Sequence, residues 1–355
     1  MIRPLRFLTI LCALLHNCLL VAATPDQGFK TPLQPASFAD LKGWDDQQVQ
    51  AIKPVLEASC KKRSSKTAAH SPLSSGGYQN WQTICQQLSH TNNSNLREFF
   101  EKRFNVYRVT SKSKGLFTGY YSPIYEGRLK KEPGFDVPLL KYPTAQGQQW
   151  VQASDSRQLI QQKINAGKIK TNQVLAWIKS PVDAFFLQIQ GSGSIRLKNG
   201  QVLHAAYGGN NKHPYVAIGK VLKQQGELKS VSMQTIRDWL ASHPEKQQAL
   251  FNKNPRYIFF RKSNVGAITA QGVTATAQRT MAVDPRYIPY GTLLWVDTEL
   301  TYTKTPYRQL MVAQDTGTAI KGPVRGDIYM GAGADAAALA GPQQAEGTLY
   351  ILIPK

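Results

Sequence analysis

The C-terminal part of the chain, from residue 257 onward, is built from short strand-like segments separated by glycine and proline. Segments that combine β-branched and aromatic residues recur there at 257–261, 275–281, 292–297, 307–313 and 349–353. Long helical periodicity is absent between them. Short strands at such spacing, with turn residues between them, predict a small β-barrel.

The residues ahead of this region predict helices first and strands second. Apolar residues recur at helical spacing at 45–59, 81–88 and 96–104, which predicts three N-terminal helices. Strand patterns follow at 106–110 and 116–121. This order places a helical segment before the first strands of the barrel.

Residues 123–255 mix both patterns. Asn199-Gly200 lies between two strand-like runs, which predicts a β-hairpin. The apolar run at 184–189 predicts a further strand, and helices are predicted at 216–225 and 233–241. Because 355 residues exceed the ~250–300 at which single hydrophobic cores stop growing, we expect two domains.

The N-terminus predicts export. Residues 1–23 contain Arg3 and Arg6, then an apolar run, then small residues that end at Ala23. This is the pattern of a cleavable signal peptide, so we expect cleavage after Ala23 and a periplasmic protein. Lipidation of Cys18 is the alternative, but the residue before it, Asn17, is not the small residue usual at a lipoprotein processing site. Residues 24–43 are polar and predict a flexible lead-in.

Two cysteines remain after the signal peptide, Cys60 and Cys85. In an oxidising compartment they predict one disulfide, which would tie the first two helices together. The alternative is two unpaired buried thiols. The six histidines are dispersed, so neither a metal site nor a Cys/His nucleophile is predicted, and no cofactor is expected.

The charge balance indicates a polyanionic partner. The chain has 43 Lys and Arg against 22 Asp and Glu, a net charge of +21. Removing residues 1–23 takes away two arginines and no acid, which leaves 41 − 22 = +19. The basic residues are dispersed and the chain is exported, so we expect no nucleic-acid binding. A bacterial cell wall, whose stem peptides carry carboxylates, fits better.

Acidic residues cluster late in the chain, where Asp315, Asp327 and Asp335 lie among glycines. Glycine lets a ligand approach the backbone closely, which makes these aspartates candidate catalytic groups. Asp and Gly are also common turn-formers, so a structural role is the alternative. Signatures of serine hydrolases, phosphate loops and zinc proteases are absent. The glycine-rich turn at 190–193 lacks dinucleotide-binding spacing and is either a ligand loop or a plain turn.

Several segments resemble the membrane-bound lytic murein transglycosylase A family. The matching motifs, which run in order, are GYYSP at 119–123, FFLQIQGSG at 185–193, YVAIGKVL at 215–222, SMQTIR at 232–237, NPRYIFF at 254–260 and the aspartate-containing block at 315–331. The match extends from about residue 100 to the C-terminus.

The resemblance implies a mainly β fold with additional helices. A double-psi β-barrel domain with N-terminal helices would comprise 44–122 plus 257–355, and a second β-rich domain, 123–256, would be inserted into it. The glycan strand would lie in the groove between them. The family's best-known members are outer-membrane lipoproteins, so outer-membrane association is a second expectation for location.

The resemblance also implies the roles of residues. Asp327 is expected to be the catalytic acid and then base, with Asp315 and Asp335 in support. The residues expected to line the groove are Tyr121, Ser122, Gln190, Ser192, Gly193 and Gln234, whereas Tyr120, Phe185 and Phe186 are expected in the core.

The implied reaction cuts the β-1,4 bond between MurNAc and GlcNAc of peptidoglycan without water and leaves 1,6-anhydro-MurNAc ends. One carboxylate suffices for this, but burial must raise its pKa if it is to act as an acid near neutrality. Arg325 and Lys321 would oppose such a shift, so we expect both to face away from Asp327 or toward carboxylates of the substrate.

Two other functions are compatible with the same residues. A hydrolytic muramidase would use Asp327 together with Asp315, because ordinary glycosidases need two carboxylates. A non-catalytic cell-wall-binding protein would need neither. In each case the expected partner is the glycan strand of peptidoglycan, and complexes of cell-wall synthesis or division are further candidates.

Overall fold

The computed structural model describes residues 32–45, 49–62, 77–143, 151–152 and 154–355. The predicted signal peptide 1–23, Cys18 and the predicted cleavage after Ala23 lie outside these residues. In the part of the chain that is described, no helix is both long enough and apolar enough to cross a membrane.

The described chain alternates between strands and helices. The strands are β1 (Leu33–Ala36), β2 (Phe104–Val109), β3 (Gly115–Ser122), β4 (Ile124–Arg128), β5 (Val137–Leu140), β6 (Val174–Ile178), β7 (Gly193–Arg196), β8 (Val202–Asn210), β9 (Ile258–Ser263), β10 (Thr280–Ala282), β11 (Leu293–Leu300), β12 (Thr305–Asp315), β13 (Arg325–Ala332) and β14 (Gln344–Pro354). The helices are α1 (Lys53–Lys62), α2 (Gly77–His90), α3 (Leu96–Arg103), α4 (Arg157–Asn165), α5 (Pro181–Gln190), α6 (Ile218–Gln224), α7 (Met233–Ser242), α8 (Gln247–Asn252) and α9 (Gly333–Ala340).

Six strands close into a barrel, in the order β14-β11-β12-β10-β13-β3, with β3 pairing back to β14. The pairs β10–β12 and β13–β3 are parallel, and the other four are antiparallel. The predicted barrel fold is therefore confirmed. Closure gives each of these six strands a partner on both sides, which is how a small barrel avoids exposed edge strands.

Strand β11 is buried on both faces because a core lies on each side of it. Leu294 and Val296 point to the core of the barrel, while Leu293 and Trp295 point to a second core under the N-terminal helices. Successive side chains of a strand point to opposite faces, so a continuous apolar run is needed here. The helices thus form an outer layer on one side of the barrel.

A buried polar side chain of the barrel wall, Gln314, holds helix α1 against the barrel. Gln314 in β12 donates from Nε2 to the backbone carbonyl of Val55 at 3.1 Å and to Ser59 Oγ at 2.8 Å. A disulfide between Cys60 and Cys85, with 5.7 Å between the two Cα atoms, joins α1 to α2 as predicted. The hydrogen bonds of Gln314 fix α1 against the strand that ends at the next residue, Asp315, and the disulfide fixes α2 to α1.

The predicted flexible lead-in over 24–43 is wrong for the part that is described. Leu33–Ala36 forms β1, which pairs antiparallel with β2, and a short 3-10 helix follows at Phe38–Asp40. The strand gave no sequence signal because its four residues, LQPA, do not alternate between apolar and polar, and it is held by pairing with the edge of β2.

The second domain contains a six-stranded sheet in the order β5-β6-β4-β7-β8-β9 and the helices α4–α8. The hairpin predicted at Asn199-Gly200 is confirmed, with β7 and β8 paired antiparallel around Gly200, whose φ is 81°. The helices predicted at 216–225 and 233–241 are α6 and α7.

The strand predicted at 184–189 is wrong, because these residues lie within helix α5. Ser180 caps the helix by accepting the N–H of Asp183, and Gly191 ends it with a φ of 78°. Phe185 and Phe186, expected in the core, are 2% and 5% exposed. A helix buried on most sides has a continuous apolar run, which periodicity cannot distinguish from a buried strand.

The second sheet extends further along the chain than the expected boundary at 256. Strand β9 pairs with β8 from Ile258 to Ser263, so the crossing back to the barrel follows Ser263. Of the strand predicted at 275–281, only the last two residues are in a strand, β10, which runs from Thr280 to Ala282. Strand β13, which carries Asp327, was not predicted as a strand, because its glycines and aspartates are typical of loops.

Replacing Cys60 and Cys85 together by serine should lower the free energy of unfolding by about 3 kcal/mol, because the bridge closes a loop of 25 residues in the unfolded chain. Neither cysteine lines the cavity described below, so activity per folded molecule should be unchanged. Urea unfolding of both proteins without reductant measures the difference. Equal midpoints, or free thiols in the exported wild-type protein, would contradict the pairing.

Candidate active site

A cavity of about 320 Å³ lies between the barrel and the second domain. The barrel contributes residues from β3, the end of β12 and β13, and the second domain contributes residues from α5 and from the segment that leads into β9. The barrel side consists of Thr118, Gly119, Tyr120, Ala282, Asp315–Ile320 and Asp327, and the opposite side of Arg157, Gln188, Ile189, Gln190, Tyr215, Asn254, Arg256 and Ile258.

Asp327 lies within β13, where it faces Thr118 of β3 in the parallel ladder and Ala282 of β10 in the antiparallel one. The Thr118 hydroxyl donates to Asp327 Oδ1 at 2.6 Å. Arg325 Nη2 in turn donates to Thr118 Oγ1 at 2.8 Å. Because the guanidinium occupies an acceptor site of the hydroxyl, the hydroxyl proton is directed to Asp327.

Burial raises the pKa of Asp327 above its ordinary value of 3.8, and the negative charge of Asp315 raises it further. The hydrogen bond from Thr118 and the charge of Arg325 act in the opposite direction but do not offset the burial. A carboxyl group in such surroundings retains its proton to higher pH than a solvated one. The site therefore contains a carboxyl suited to donate a proton.

The expectation that Arg325 faces away from Asp327 is wrong. Its guanidinium donates to the carbonyl oxygens of Leu116 and Gly326 as well as to Thr118, which holds it beside the aspartate. Strand register explains this, because residues two apart on one strand share a face. Lys321, in contrast, is exposed and does not line the cavity.

Asp315 is the last residue of β12, at an irregularity where the register with β10 shifts. Its Oδ1 accepts the backbone N–H groups of Ala270 and Thr316, each at 2.9 Å, and its Oδ2 accepts the Tyr120 hydroxyl at 2.8 Å. Burial raises the pKa of Asp315, whereas these three donors favour the ionised form. Both of its oxygens already have donors within the protein.

Tyr120 lines the cavity instead of lying in the core, contrary to expectation. Its hydroxyl donates to Asp315, and its ring lies 5.1 Å from that of Tyr329, between centroids. Thr118 and Tyr120 are two positions apart on β3, so they share one face of the strand. Period-two alternation in the GYYSP segment could have identified this face, but not the aspartates opposite it.

Asp335 is not brought to the cavity. It is exposed in the first turn of α9, where a negative side chain interacts favourably with the helix dipole. The structure thus separates Asp335 from Asp315 and Asp327, which line one cavity.

Of the six residues expected to line the groove, only Gln190 lines this cavity. Tyr121 and Ser122 are buried, at 6% and 4% exposed, and Gly193 is buried as well. Ser192 is partly exposed outside the lining, and the exposed Gln234 donates to Asp238 on its own helix. Thr118, Tyr120, Arg157 and Gln188 line the cavity and were not predicted to do so.

No group of three or more His, Cys, Asp or Glu side chains in the described ranges is arranged to hold a metal ion. The arrangement offers acid–base chemistry: two buried carboxyl groups with raised pKa, of which Asp315 is held by three donors and Asp327 by one, and a wall of polar groups from the second domain.

Two family models match the chain: the MltA specific insert domain over residues 116–261 and the 3D domain over residues 279–353. Membrane-bound lytic murein transglycosylase A of Escherichia coli (strain K12) is 32% identical over 268 residues, which cover 73% of this chain and 71% of that protein.

The solved structures that resemble this chain are also lytic transglycosylases. A membrane-bound lytic murein transglycosylase from Agrobacterium tumefaciens superposes with a TM-score of 0.80 at 28% identity and covers 91% of this chain and 98% of its own. The lytic transglycosylase LtgG of Burkholderia pseudomallei superposes with a TM-score of 0.62 at 33% identity. The match covers 93% of this chain and 97% of LtgG. E. coli MltA with bound chitohexaose superposes with a TM-score of 0.66 at 26% identity. The match covers 91% of this chain and 94% of that structure. The chain therefore belongs to the MltA family of lytic murein transglycosylases.

Proposed function

We propose that this protein is a lytic transglycosylase that cleaves the MurNAc–GlcNAc β-1,4 bonds of peptidoglycan, with Asp327 as its catalytic carboxyl. The observation that carries this proposal is the environment of Asp327. It lines the cavity between the two domains, burial raises its pKa, and a single side-chain donor orients it.

The reaction needs one group that acts first as acid and then as base. Protonated Asp327 donates to the oxygen that joins MurNAc to GlcNAc, and the bond from that oxygen to the anomeric carbon breaks. The resulting carboxylate takes the proton of the MurNAc 6-hydroxyl while that oxygen closes on the anomeric carbon. Asp327 ends protonated as it began, and no water is consumed.

Asp315 supports this cycle by its charge. Its three donors favour the ionised form, and that charge raises the pKa of the neighbouring Asp327. A muramidase would instead need Asp315 as nucleophile or base, but both oxygens of Asp315 are already engaged.

The net charge of the chain is compatible with an anionic polymer as substrate in the periplasm. The net charge is +19 without residues 1–23, and positive charge attracts a wall that carries stem-peptide carboxylates. The predicted signal peptide supports export, and the relatives named membrane-bound make association with the outer membrane a further proposal. Complexes of cell-wall synthesis or division stay predictions.

Purified wild-type protein should release from sacculi muropeptides that are lighter by one water than hydrolysis products. The Asp327→Asn variant keeps the acceptor oxygen for Thr118 but has no acidic proton, so release should fall by at least 10³-fold, roughly the upper part of the range for one general acid–base group. Mass analysis of the digests measures both effects. Products that end in reducing MurNAc would indicate hydrolysis, and undiminished release by the variant would remove Asp327 from the reaction.

The raised pKa of Asp327 should make the wild-type protein less stable, relative to Asp327→Asn, as pH increases. Between the unfolded value near 3.8 and the higher folded pKa, the folded state binds more protons than the unfolded state. Stability therefore falls as pH rises through this window, and the asparagine variant lacks this loss. Urea unfolding of both proteins from pH 4 to 7 tests it, and a difference that is constant with pH would contradict the shift.

Thr118→Val should remove the donor that orients Asp327 while keeping the shape of the side chain. Because this hydrogen bond lowers the pKa of Asp327, the alkaline limb of kcat/KM should move to higher pH. Loss of orientation should lower kcat by about tenfold, the equivalent of one modest hydrogen bond. The matched control is Thr298→Val, since the Thr298 hydroxyl is also a hydrogen-bond donor in a barrel strand but donates to the backbone of Glu346, away from the cavity. A pH profile that shifts equally in both variants would argue against the role of Thr118.

A further inference from the structure

The cavity loop, residues 316–322, connects the end of β12 to the segment that leads into β13. Residues 316–320 of this loop all line the catalytic cavity. Thr318 at its tip is exposed, whereas Ile320 is buried, at 4% exposed. The loop therefore joins the two strands that carry the catalytic carboxyl and its acidic neighbour, and its position shapes the barrel side of the cavity.

The segment that holds the cavity loop follows β10, the strand between β12 and β13 in the barrel. Ala282, the last residue of β10, pairs with Asp315 on one side and with Asp327 on the other. The next two residues, Val283 and Asp284, are both at most 1% exposed. They leave the sheet between the strand that leads into the loop and the strand that follows it.

Each of these two residues holds one end of the cavity loop. At the first end, the Thr316 hydroxyl donates to the carbonyl oxygen of Val283 at 2.8 Å. At the other end, the backbone N–H of Gly322 donates to Asp284 Oδ2 at 2.9 Å. The first contact uses a backbone acceptor, which any residue at 283 would supply. The second depends on the carboxylate of residue 284.

The carboxylate of Asp284 is itself fixed by Arg286. Its Oδ1 accepts Nε and the backbone N–H of Arg286 at 2.9 and 3.2 Å, and its Oδ2 accepts Nη2 at 2.6 Å. Burial alone would raise the pKa of Asp284, but the hydrogen bonds from Arg286 and Gly322 lower it below its ordinary value of 3.8. Asp284 is thus charged near neutrality, and hydrogen bonds to a charged acceptor are stronger than those between neutral groups.

We propose that Asp284 is a positioning residue that sets the affinity of the cavity for glycan, because it holds the cavity loop through the N–H of Gly322. The inference rests on the proposed function, since it takes the glycan as the ligand of this cavity. Asp284 itself does not line the cavity, and the hydrogen bond between Thr118 and Asp327 joins strands outside the loop. Loss of Asp284 should therefore weaken substrate binding and leave the acid–base step intact.

Asp284→Ala removes every side-chain acceptor at this position and should free one end of the cavity loop. With soluble glycan strands as substrate, KM should rise about tenfold while kcat stays unchanged, because binding is weakened and the chemical step is not. The alkaline limb of kcat/KM should stay at the same pH, since the contacts of Asp327 with Thr118 and Arg325 are unaltered. A merely destabilised protein would not show this division between KM and kcat.

Binding is measured directly in the Asp327→Asn background, where turnover does not interfere. The probe is chitohexaose, whose Kd by calorimetry should rise about tenfold when Asp284→Ala is added. Amide hydrogen exchange should become faster at 316–322 and stay unchanged in β13, because local opening would be confined to the loop.

The matched control is Asp155→Ala in the second domain. Asp155 is also buried, at 6% exposed. Its Oδ2 likewise accepts one backbone N–H, from Gln152 at 2.7 Å, and one cation, Lys163 at 2.6 Å. None of these three residues lines the catalytic cavity, so Asp155→Ala should lower stability but leave the Kd of chitohexaose unchanged.

Should Asp284→Ala fail to fold, Asp284→Asn takes its place. It keeps the volume but has one acceptor atom where the carboxylate has two, so Kd should rise about threefold. Unchanged Kd in the folded variant would overturn the proposal. An equal rise in Asp155→Ala, or unchanged amide exchange in the cavity loop, would do the same.

None of these results would affect the proposed function, which depends on release of anhydro-muropeptides from sacculi by the wild-type protein. If that release were absent while Asp284→Ala still raised the Kd of chitohexaose, the positioning role would stand and the catalytic assignment would fail.

Discussion

The parallel pairing of β3 with β13 is the interaction on which the rest of the site depends. It places Thr118 opposite Asp327, although 209 positions separate them in the chain. The same strand, β3, presents Tyr120 to Asp315 at the end of β12. One face of one strand thus supplies the hydroxyl donor for each of the two aspartates. Without this register, neither carboxyl would have its side-chain partner.

The two aspartates differ because their surroundings differ. Asp315 has two backbone donors and one phenol, all provided by fixed structure, whereas Asp327 has one hydroxyl. Burial raises the pKa of both, and hydrogen bonds to the charged form partly offset this rise at each, from three donors at Asp315 and from one at Asp327. The helical layer positions Asp315 indirectly, because Val55 and Ser59 of α1 accept hydrogen bonds from Gln314, the residue before Asp315. Arg325 moderates the shift at Asp327 without cancelling it.

The sequence predicted the elements whose signal is local. The hairpin at Asn199-Gly200, the disulfide and the glycine-flanked Asp327 could be found because each depends on a few neighbouring residues. Helix α5 was interpreted as a strand because its burial on most sides removes the periodicity that would identify it. The partners Thr118 and Tyr120, and the wall residues Arg157 and Gln188, could not be found, since strand register and domain packing bring together residues far apart in sequence.

The position of the second domain has a consequence for how the protein folds. It interrupts the barrel directly after β3, whose only strand partners in the described chain are β13 and β14. These are the last two strands, so β3 has no partner while the chain is incomplete. Contacts of such high sequence separation form late, because the cost of closing the intervening loop must be met first. Assembly of the catalytic wall therefore waits for the C-terminal end of the chain, and a chain that ends before β13 has neither Asp327 nor a strand partner for β3.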